Sequence, residues 1–445
     1  MISRFSVAGF KSLEDFSLKL QPGLNVLVGP NGSGKTNIVR FLEFVSFLSD
    51  GSLVEAVSRS GGAGDIFSKN LDGSLKPRIT FTVSGSLNYD TGENNGFRKI
   101  NYELYIEIDL SISKGTLEFR QQKLDIYDFS GDNELDLQGD MTAIRSLFRA
   151  TYFSRSTGNS HLSSSTIRDE KILQSYFTQT ESPSLSERLN QYLRDGASLN
   201  DVLITSFLSN FTRLSSYVNA DLDVGQPLNI IPSEVKTEDI ASRAGISSSG
   251  RGFAATLHFS KKYNISNNDQ NYYFNSNILT TEDLSLLIEY CKLVNDNVLD
   301  IRAEVDTLQN IIKTTMSFVT ENGVLDLPLS SVSDGTAKWL ALVACILTRR
   351  SIFMIEEPEN FLHPHMQREI IDIIRSRNTN FRRSFLLSSH SETLINCLKP
   401  TELVIVEFVD GKTLARRVKN SNDILFEINK TGFGLSYYYL SGALS

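Results

Sequence analysis

The sequence predicts an α/β fold: buried strands ending in chemistry-bearing residues, accompanied by an antiparallel β subdomain and an inserted, mainly helical lobe. Three observations carry this reading. The strand-like run Gly23-Leu24-Asn25-Val26-Leu27-Val28 leads directly into the glycine-rich Gly29-Pro30-Asn31-Gly32-Ser33-Gly34-Lys35-Thr36, and residues 37–48 continue with helical, apolar-rich spacing. Between Arg78 and Phe129 apolar and polar residues alternate, the pattern of strands with one wet face. Towards the other end, short apolar runs at 351–358, 384–390 and 403–408 are each bounded by polar stretches, as strands buried on both faces are.

Taken in order, Phe5, Val7 and Phe10 mark a first strand and residues 16–20 a second, before the strand that enters the glycine loop. Residues 79–83 and 100–108 alternate around the turn-forming segment 90–96. From 130 to 298 polar and helical stretches dominate, including 185–193 and 283–294, and the Ser/Gly-rich segment 245–252 reads as a mobile loop. Ile312, Thr314, Met316 and Phe318 alternate with Lys313, Thr315 and Ser317 as a further strand. Ser333-Asp334-Gly335-Thr336 then precedes the almost wholly apolar 339–347, which predicts a buried helix. The expected division is 1–129, an amino-terminal part with the glycine loop and antiparallel sheet; 130–298, the helical insert; and 299–445, a carboxyl-terminal part.

Composition narrows the function classes. The 445 residues carry 40% hydrophobic and 22% charged side chains, which is ordinary for a folded soluble chain, and a net charge of −8, which gives no sign of a polyanion-binding surface. Arg382-Arg383 and Arg416-Arg417 with Lys419 are short basic clusters expected to be solvated surface. Cys291, Cys345 and Cys397 form no CxxC pair and read as buried, reduced thiols rather than zinc ligands or a disulfide framework. No apolar run reaches the roughly 20 residues that span a bilayer, and the first residues look like a strand rather than a leader, so a cytoplasmic location without membrane contact is expected.

The motifs specify phosphate chemistry. Gly29, Gly32 and Gly34 let a backbone curl tightly enough to aim several N–H groups at one anion, and the helix that follows adds the positive end of its dipole. Lys35 supplies a point charge for β/γ oxygens, Thr36 a hydroxyl for magnesium, and Pro30, Asn31, Ser33 and Asn37 complete the cradle. The run Ser351-Ile352-Phe353-Met354-Ile355-Glu356-Glu357-Pro358 delivers two carboxylates from a buried strand. Their order assigns Glu356 to magnesium and Glu357 to water activation. Phe385-Leu386-Leu387-Ser388-Ser389-His390 presents an imidazole at the same edge, able to hydrogen-bond a γ-phosphate or the attacking water.

Together, Gly9-Phe10-Lys11-Ser12, residues 29–36, Ser333-Asp334-Gly335-Thr336, Glu356-Glu357-Pro358-Glu359-Asn360-Phe361-Leu362-His363-Pro364 and Ser389-His390-Ser391 resemble the ABC-type P-loop ATPases of the SMC/RecF/OLD branch. The resemblance covers roughly the first 70 and last 120 residues. It implies ATP and Mg2+ as cofactors, two heads meeting face to face, and Ser333 and Gly335 contacting the γ-phosphate held by a partner copy. It places His363 and His365 on a dimer-facing loop rather than in a metal site. The sequence departs from transporter heads in having Glu356 for Asp and in the signature residues Asp334 and Thr336, and it offers only Gln121 and Gln122 as candidates for the Q-loop glutamine. The 55 residues after His390 are too few for the TOPRIM nuclease domain of OLD-type nucleases. The resemblance extends to stand-alone ATPase subunits of bacterial antiphage systems such as PARIS and Septu. It implies a homo-oligomer of at least two copies controlling a separate effector, with sensor contacts in the insert. A RecF/SMC-like ATPase that clamps DNA is the alternative, although no sustained heptads predict coiled-coil arms.

Overall fold

The computed structural model describes residues 2–50, 52–90, 97–129, 146–154, 222, 225–237, 245–263, 278–348, 352–378 and 384–444. The chain runs β1 (Ile2–Ala8), β2 (Phe16–Lys19), β3 (Gly23–Val28), α1 (Lys35–Asp50), α2 (Leu53–Arg59), α3 (Ala63–Ile66), β4 (Arg78–Asp90), β5 (Phe97–Ser111), β6 (Thr116–Phe129) and β7 (Ser146–Ser154). It continues with α4 (Pro232–Val235), α5 (Phe253–Tyr263), α6 (Thr281–Lys292), β8 (Val298–Asp306), β9 (Ile311–Thr320), β10 (Gly323–Pro328) and α7 (Asp334–Leu347). The last elements are β11 (Ile352–Glu356), α8 (Pro364–Asn378), β12 (Ser384–Ser389), α9 (Glu392–Asn396), β13 (Leu403–Val409), β14 (Lys412–Arg417), α10 (Ser421–Thr431) and α11 (Leu435–Leu440). The predicted helix at 185–193 and the clusters at 90–96 and Arg382-Arg383 lie outside the described residues, apart from Asp90.

Two compact units emerge. One comprises Met1–Leu20, Arg40–Gly225 and Phe408–Ala415; the other Gln21–Val39, Gln226–Glu407 and Arg416–Ser445. The first is built on the antiparallel sheet β2-β1-β4-β5-β6-β7. Its core is aromatic: Phe41 on α1 stacks on Phe5 at 5.4 Å and meets Phe10 and Phe81 edge-on at 5.5 and 5.4 Å, contacts worth about 0.5–1.5 kcal/mol each beyond the area they bury. Gly9 ends the first strand because only glycine fits: its φ is +84° and a Cβ would lie 2.1 Å from the Arg78 carbonyl oxygen. β7 falls within the segment expected to be mainly helical; its Phe148, Tyr152 and Phe153 favour a strand, and it pairs antiparallel with β6.

The second unit holds the parallel strands β11, β12 and β3 with β13 as far as Glu407, and the small antiparallel sheet β10-β9-β8. Ser384 to Ser389 pair with Gly23 to Val28 on one side, and Ser384 to Ser388 with Ile352 to Glu356 on the other. β12 therefore lies between β3 and β11, and all three reach one edge with their carboxyl ends. Between Ala337 and Leu347 every residue of α7 is buried. Trp339 is wholly buried, and its indole N–H donates to the Tyr290 carbonyl at 3.1 Å. α6 starts two residues earlier than periodicity suggests, because Thr280 and Asp283 form a reciprocal capping box.

Two expectations change. Residues 245–252 are not a loose loop: Ser247 N–H bonds to the Arg251 carbonyl, and the Asn229 and Ile231 N–H groups bond to the Ser248 and Ser249 carbonyls, so backbone hydrogen bonding fixes the glycine turn. Lys419 is exposed as expected, but Arg416 and Arg417 are half-buried and hydrogen-bonded rather than freely solvated. Arg416 bonds to Glu407 and to the Leu444 carbonyl, while Arg417 bonds to the Thr401 carbonyl and to the Asn25 side chain. Cys291 and Cys345 are buried and Cys397 half-buried; burial pushes the Cys291 thiol up to about 12. No described helix is long and apolar enough to cross a membrane.

Candidate functional site

The glycine-loop residues, Ser333, Gly335, Glu356, Glu357 and His390 fall in the second unit. β3 is buried along its whole length and stops at Gly29, where a Cβ would lie 2.2 Å from the Val406 carbonyl oxygen and 2.7 Å from Ser33 Oγ. The loop then turns through Gly32 (φ +80°) and Gly34 (φ +99°), a conformation that side chains with a Cβ rarely adopt. A Cβ at Gly32 would meet nothing within 4 Å, so open space lies over the loop at this point. Lys35, Thr36 and Asn37 form the first turn of α1, where helix geometry leaves N–H groups without intrahelical partners. Lys35 Nζ donates to the Gly29 and Pro30 carbonyls at 2.7 and 3.0 Å. Burial lowers its pKa, against the opposing pull of Glu357 and Glu359.

Glu356 closes β11 opposite Ser388, which β12 places opposite Leu27 of β3. Two strand spacings thus separate the acid from the base of the glycine loop, about 10 Å of backbone distance. The segment around Leu228 continues the sheet beyond β11: Leu228 N–H donates to the Met354 carbonyl and Glu356 N–H to that of Leu228, at 2.8 and 3.0 Å.

Glu357 begins a tight turn. Its φ is +44°, Phe361 follows at +66°, and Glu357 N–H donates to the Ser388 carbonyl at 2.9 Å. Non-glycine residues in this region carry strain that the surrounding contacts must hold. Asn360 Nδ2 donates to Glu357 Oε2 at 2.9 Å, leaving Oε1 facing His390 Nδ1 at 3.7 Å. Both side chains are about half exposed, 44% for Glu357 and 51% for His390, and so are open to a reactant. Glu359, at 7% exposure, anchors the histidine loop: its Oε1 accepts from Ser389 Oγ at 2.8 Å and from His390 N–H at 3.0 Å. Lys35, Glu357, Glu359 and His390 thus form one charge cluster at the ends of three adjacent parallel strands.

Ser333 caps α7, its Oγ accepting from Thr336 N–H at 3.2 Å, and Asp334 pairs with Lys236 at 2.7 Å. Gly335 sits against the turn, where a Cβ would lie 2.8 Å from the Phe361 carbonyl oxygen. The Gly335→Ala substitution adds about 1 kcal/mol of helix preference but overpacks against backbone, at a cost of about 1–3 kcal/mol. It is expected to lower the melting temperature; a value at or above the parent's would show that the turn yields freely.

A family model described as "AAA domain, putative AbiEii toxin, Type IV TA system" (AAA_21) matches residues 24–396. The chain belongs to this family. Among individual relatives, the DNA replication and repair protein RecF of Corynebacterium jeikeium is 42% identical over 48 residues, 11% of each chain. RecF of Rhodococcus erythropolis is 38% identical over 69 residues, 14% of this chain and 17% of the relative. The chain therefore spans under a fifth of the length of these two relatives. The SMC head bound to the C-winged helix domain of ScpA aligns over 95% of this chain and 99% of that one, at 11% identity and a TM-score of 0.48. The SMC head domain from Thermotoga maritima aligns over 94% and 99%, at 12% and 0.37.

Membership in an AAA family fits what the site offers. Thr36 and Glu356 present the hard oxygen donors magnesium prefers, and the curled loop with open space at Gly32 suits a polyphosphate. His365 Nε2 lies 3.0 Å from the Leu293 carbonyl oxygen and His363 Nδ1 accepts from His365 N–H. Gln121 and Gln122 lie within β6 of the first unit.

Three residues of the cluster have no role assigned by motif alone: Lys338, Glu359 and Asn360. Lys338 is 2% exposed inside the α7 packing, and Nζ donates to the Glu357 carbonyl at 3.3 Å. Burial pushes its ammonium down to about 8, against the opposing pull of Glu359 and Glu357. The unfolded chain keeps this proton to a higher pH, so between about 8 and the ordinary lysine value it binds more protons and folding gains stability as pH rises. Below pH 8 the buried charge is a standing cost. The sequence shows only that Lys338 follows Gly335 by three residues and shares its helix face; its burial is not readable there.

Proposed function

We propose that this chain is an ATPase that hydrolyses ATP with magnesium and requires a second copy for full activity. The observation that carries the catalytic reading is the cluster of Lys35, Glu357, Glu359 and His390 at one sheet edge. Lys35 exchanges its loop carbonyls for β- and γ-phosphate oxygens, while the N–H groups of residues 32–37 hold the remaining charge. Thr36 and Glu356 hold the magnesium ion, which when bound neutralises charge developing on the phosphates. Glu357, oriented by Asn360 and exposed on its Oε1 side, accepts the proton of the attacking water. His390, fixed through its backbone by Glu359, hydrogen-bonds the γ-phosphate or that water.

The resemblance to SMC/RecF/OLD heads supports the rest. Ser333 and Gly335 lie at the start of a 14-residue helix whose amino terminus favours anions, and they complete the site of a second copy. Specific activity is then expected to rise with protein concentration and level off once the dimer is saturated. A rate per chain that stays constant over a hundredfold dilution to nanomolar protein would sink the composite site.

In this reading the assembled heads control a separate effector in bacterial antiphage defence, as in the PARIS and Septu systems. The toxin–antitoxin description of the family supports that context. The RecF relatives favour a second reading, a DNA-clamping ATPase of repair or maintenance. A salt titration separates them: affinity for duplex DNA that falls by orders of magnitude between low and physiological salt supports the clamp, and absence of binding at low salt excludes it.

A further inference from the structure

Lys338 is chemically out of place. A lysine sealed at 2% exposure inside a helix buried from Ala337 to Leu347 lowers stability at neutral pH, and a methionine of similar shape would fit the same path. Among the described residues Nζ makes one hydrogen bond, to the Glu357 carbonyl, and it lies 5.8 Å from the centre of the Phe361 ring. Those two residues are the left-handed ends of the turn that carries Glu357 and Glu359. Glu359 in turn holds His390 through Oε1, while its buried Oε2 accepts no hydrogen bond from the described residues. The Glu359 carboxylate attracts the Lys338 ammonium across the same turn, and among the described residues neither the other two N–H groups of Nζ nor Glu359 Oε2 has a hydrogen-bond partner.

We propose that Lys338 is a positioning residue: it ties the helix that begins at Ser333 and Gly335 to the turn bearing Glu357 and Glu359, so that anion contact at the helix start sets the catalytic carboxylate and the histidine loop. This inference rests on the ATPase reading above. Gly335, against the Phe361 carbonyl oxygen, and Lys338, on the Glu357 carbonyl, grip opposite ends of the turn, so a displacement of α7 cannot leave Glu357 where it was. A partner's γ-phosphate at Ser333 would thereby act on the Glu357 of the chain that supplies the signature.

The test uses the full chain and its Lys338→Met, Lys338→Arg, Glu359→Gln and Lys338→Met/Glu359→Gln forms, with melting temperature, nucleotide affinity and steady-state hydrolysis measured for each. Lys338→Met is expected to melt at or above the parent's temperature and to bind ATP within about threefold of it, while kcat falls by roughly 30-fold or more. Lys338→Arg, which keeps the cation, should recover most of that loss. The double variant should lose little beyond the worse of its singles, the signature of residues acting as one unit. A Lys338→Met kcat within twofold of the parent's overturns the proposal. So does a kcat loss accompanied by an equal loss of affinity and melting temperature, the mark of a merely structural lysine. A parent chain without turnover overturns both this inference and the ATPase reading; an active parent with an unaffected Lys338→Met overturns this inference alone.

Discussion

Glu357→Gln is expected to reduce ATP turnover by at least about 100-fold while leaving ATP affinity nearly intact. The magnitude follows from what a positioned base contributes to proton transfer, about 10²–10⁴-fold. Selectivity for turnover follows from the geometry. Asn360 bonds Glu357 Oε2, and a glutamine can present its carbonyl oxygen to the same N–H, so the turn keeps its shape. The backbone bond from Glu357 N–H to Ser388 is untouched. Only the proton acceptor facing His390 is lost. Because the nucleotide stays bound without turning over, the variant should also accumulate as an ATP-bound dimer, visible in size-exclusion chromatography. Indistinguishable rates in variant and parent would remove Glu357 from the chemistry and leave Glu356 or Glu359 to be tested.

Lys35→Met is expected to abolish measurable nucleotide binding without unfolding the chain. Truncating one partner of a buried, hydrogen-bonded charge pair costs about 2–5 kcal/mol in affinity, roughly 30- to 5,000-fold. The folded chain should tolerate the change. Burial already lowers the Lys35 pKa, so replacing the cation with an apolar side chain of similar length removes a desolvated charge, in exchange for two hydrogen bonds to loop carbonyls. Titration calorimetry with ATP and a melting curve test the two halves separately. Retained affinity would show that the backbone cradle alone binds the phosphates.

Much of the second unit was legible because its signals are local. The loop at 29–36 announces itself through three glycines and a lysine, and β11 and β12 through apolar runs that end in acids and a histidine. Strand order was not legible. Nothing in the residues of β12 says that it inserts between β3 and β11, since parallel pairing joins segments more than 350 positions apart. The Leu228 bridge was invisible for the same reason, being a single rung made by a short apolar stretch. Residues 245–252 misled because serine and glycine content reports backbone freedom, not the hydrogen bonds that remove it. Lys338 escaped because motif reading stops at Thr336, whereas its importance comes from burial, which only the packed helix reveals.

The tryptophan buried in α7 gives the protein an optical gauge of its own. Trp339 is the single tryptophan of the chain and the immediate neighbour of Lys338, and its indole nitrogen is committed to the Tyr290 carbonyl. Its emission is therefore uncontaminated by any other indole and originates from the very helix that runs from Ser333 past the turn bearing Glu357 and Glu359. Intensity and wavelength recorded during nucleotide mixing would time the motion of that helix in the unlabelled protein, against the appearance of product in the same sample.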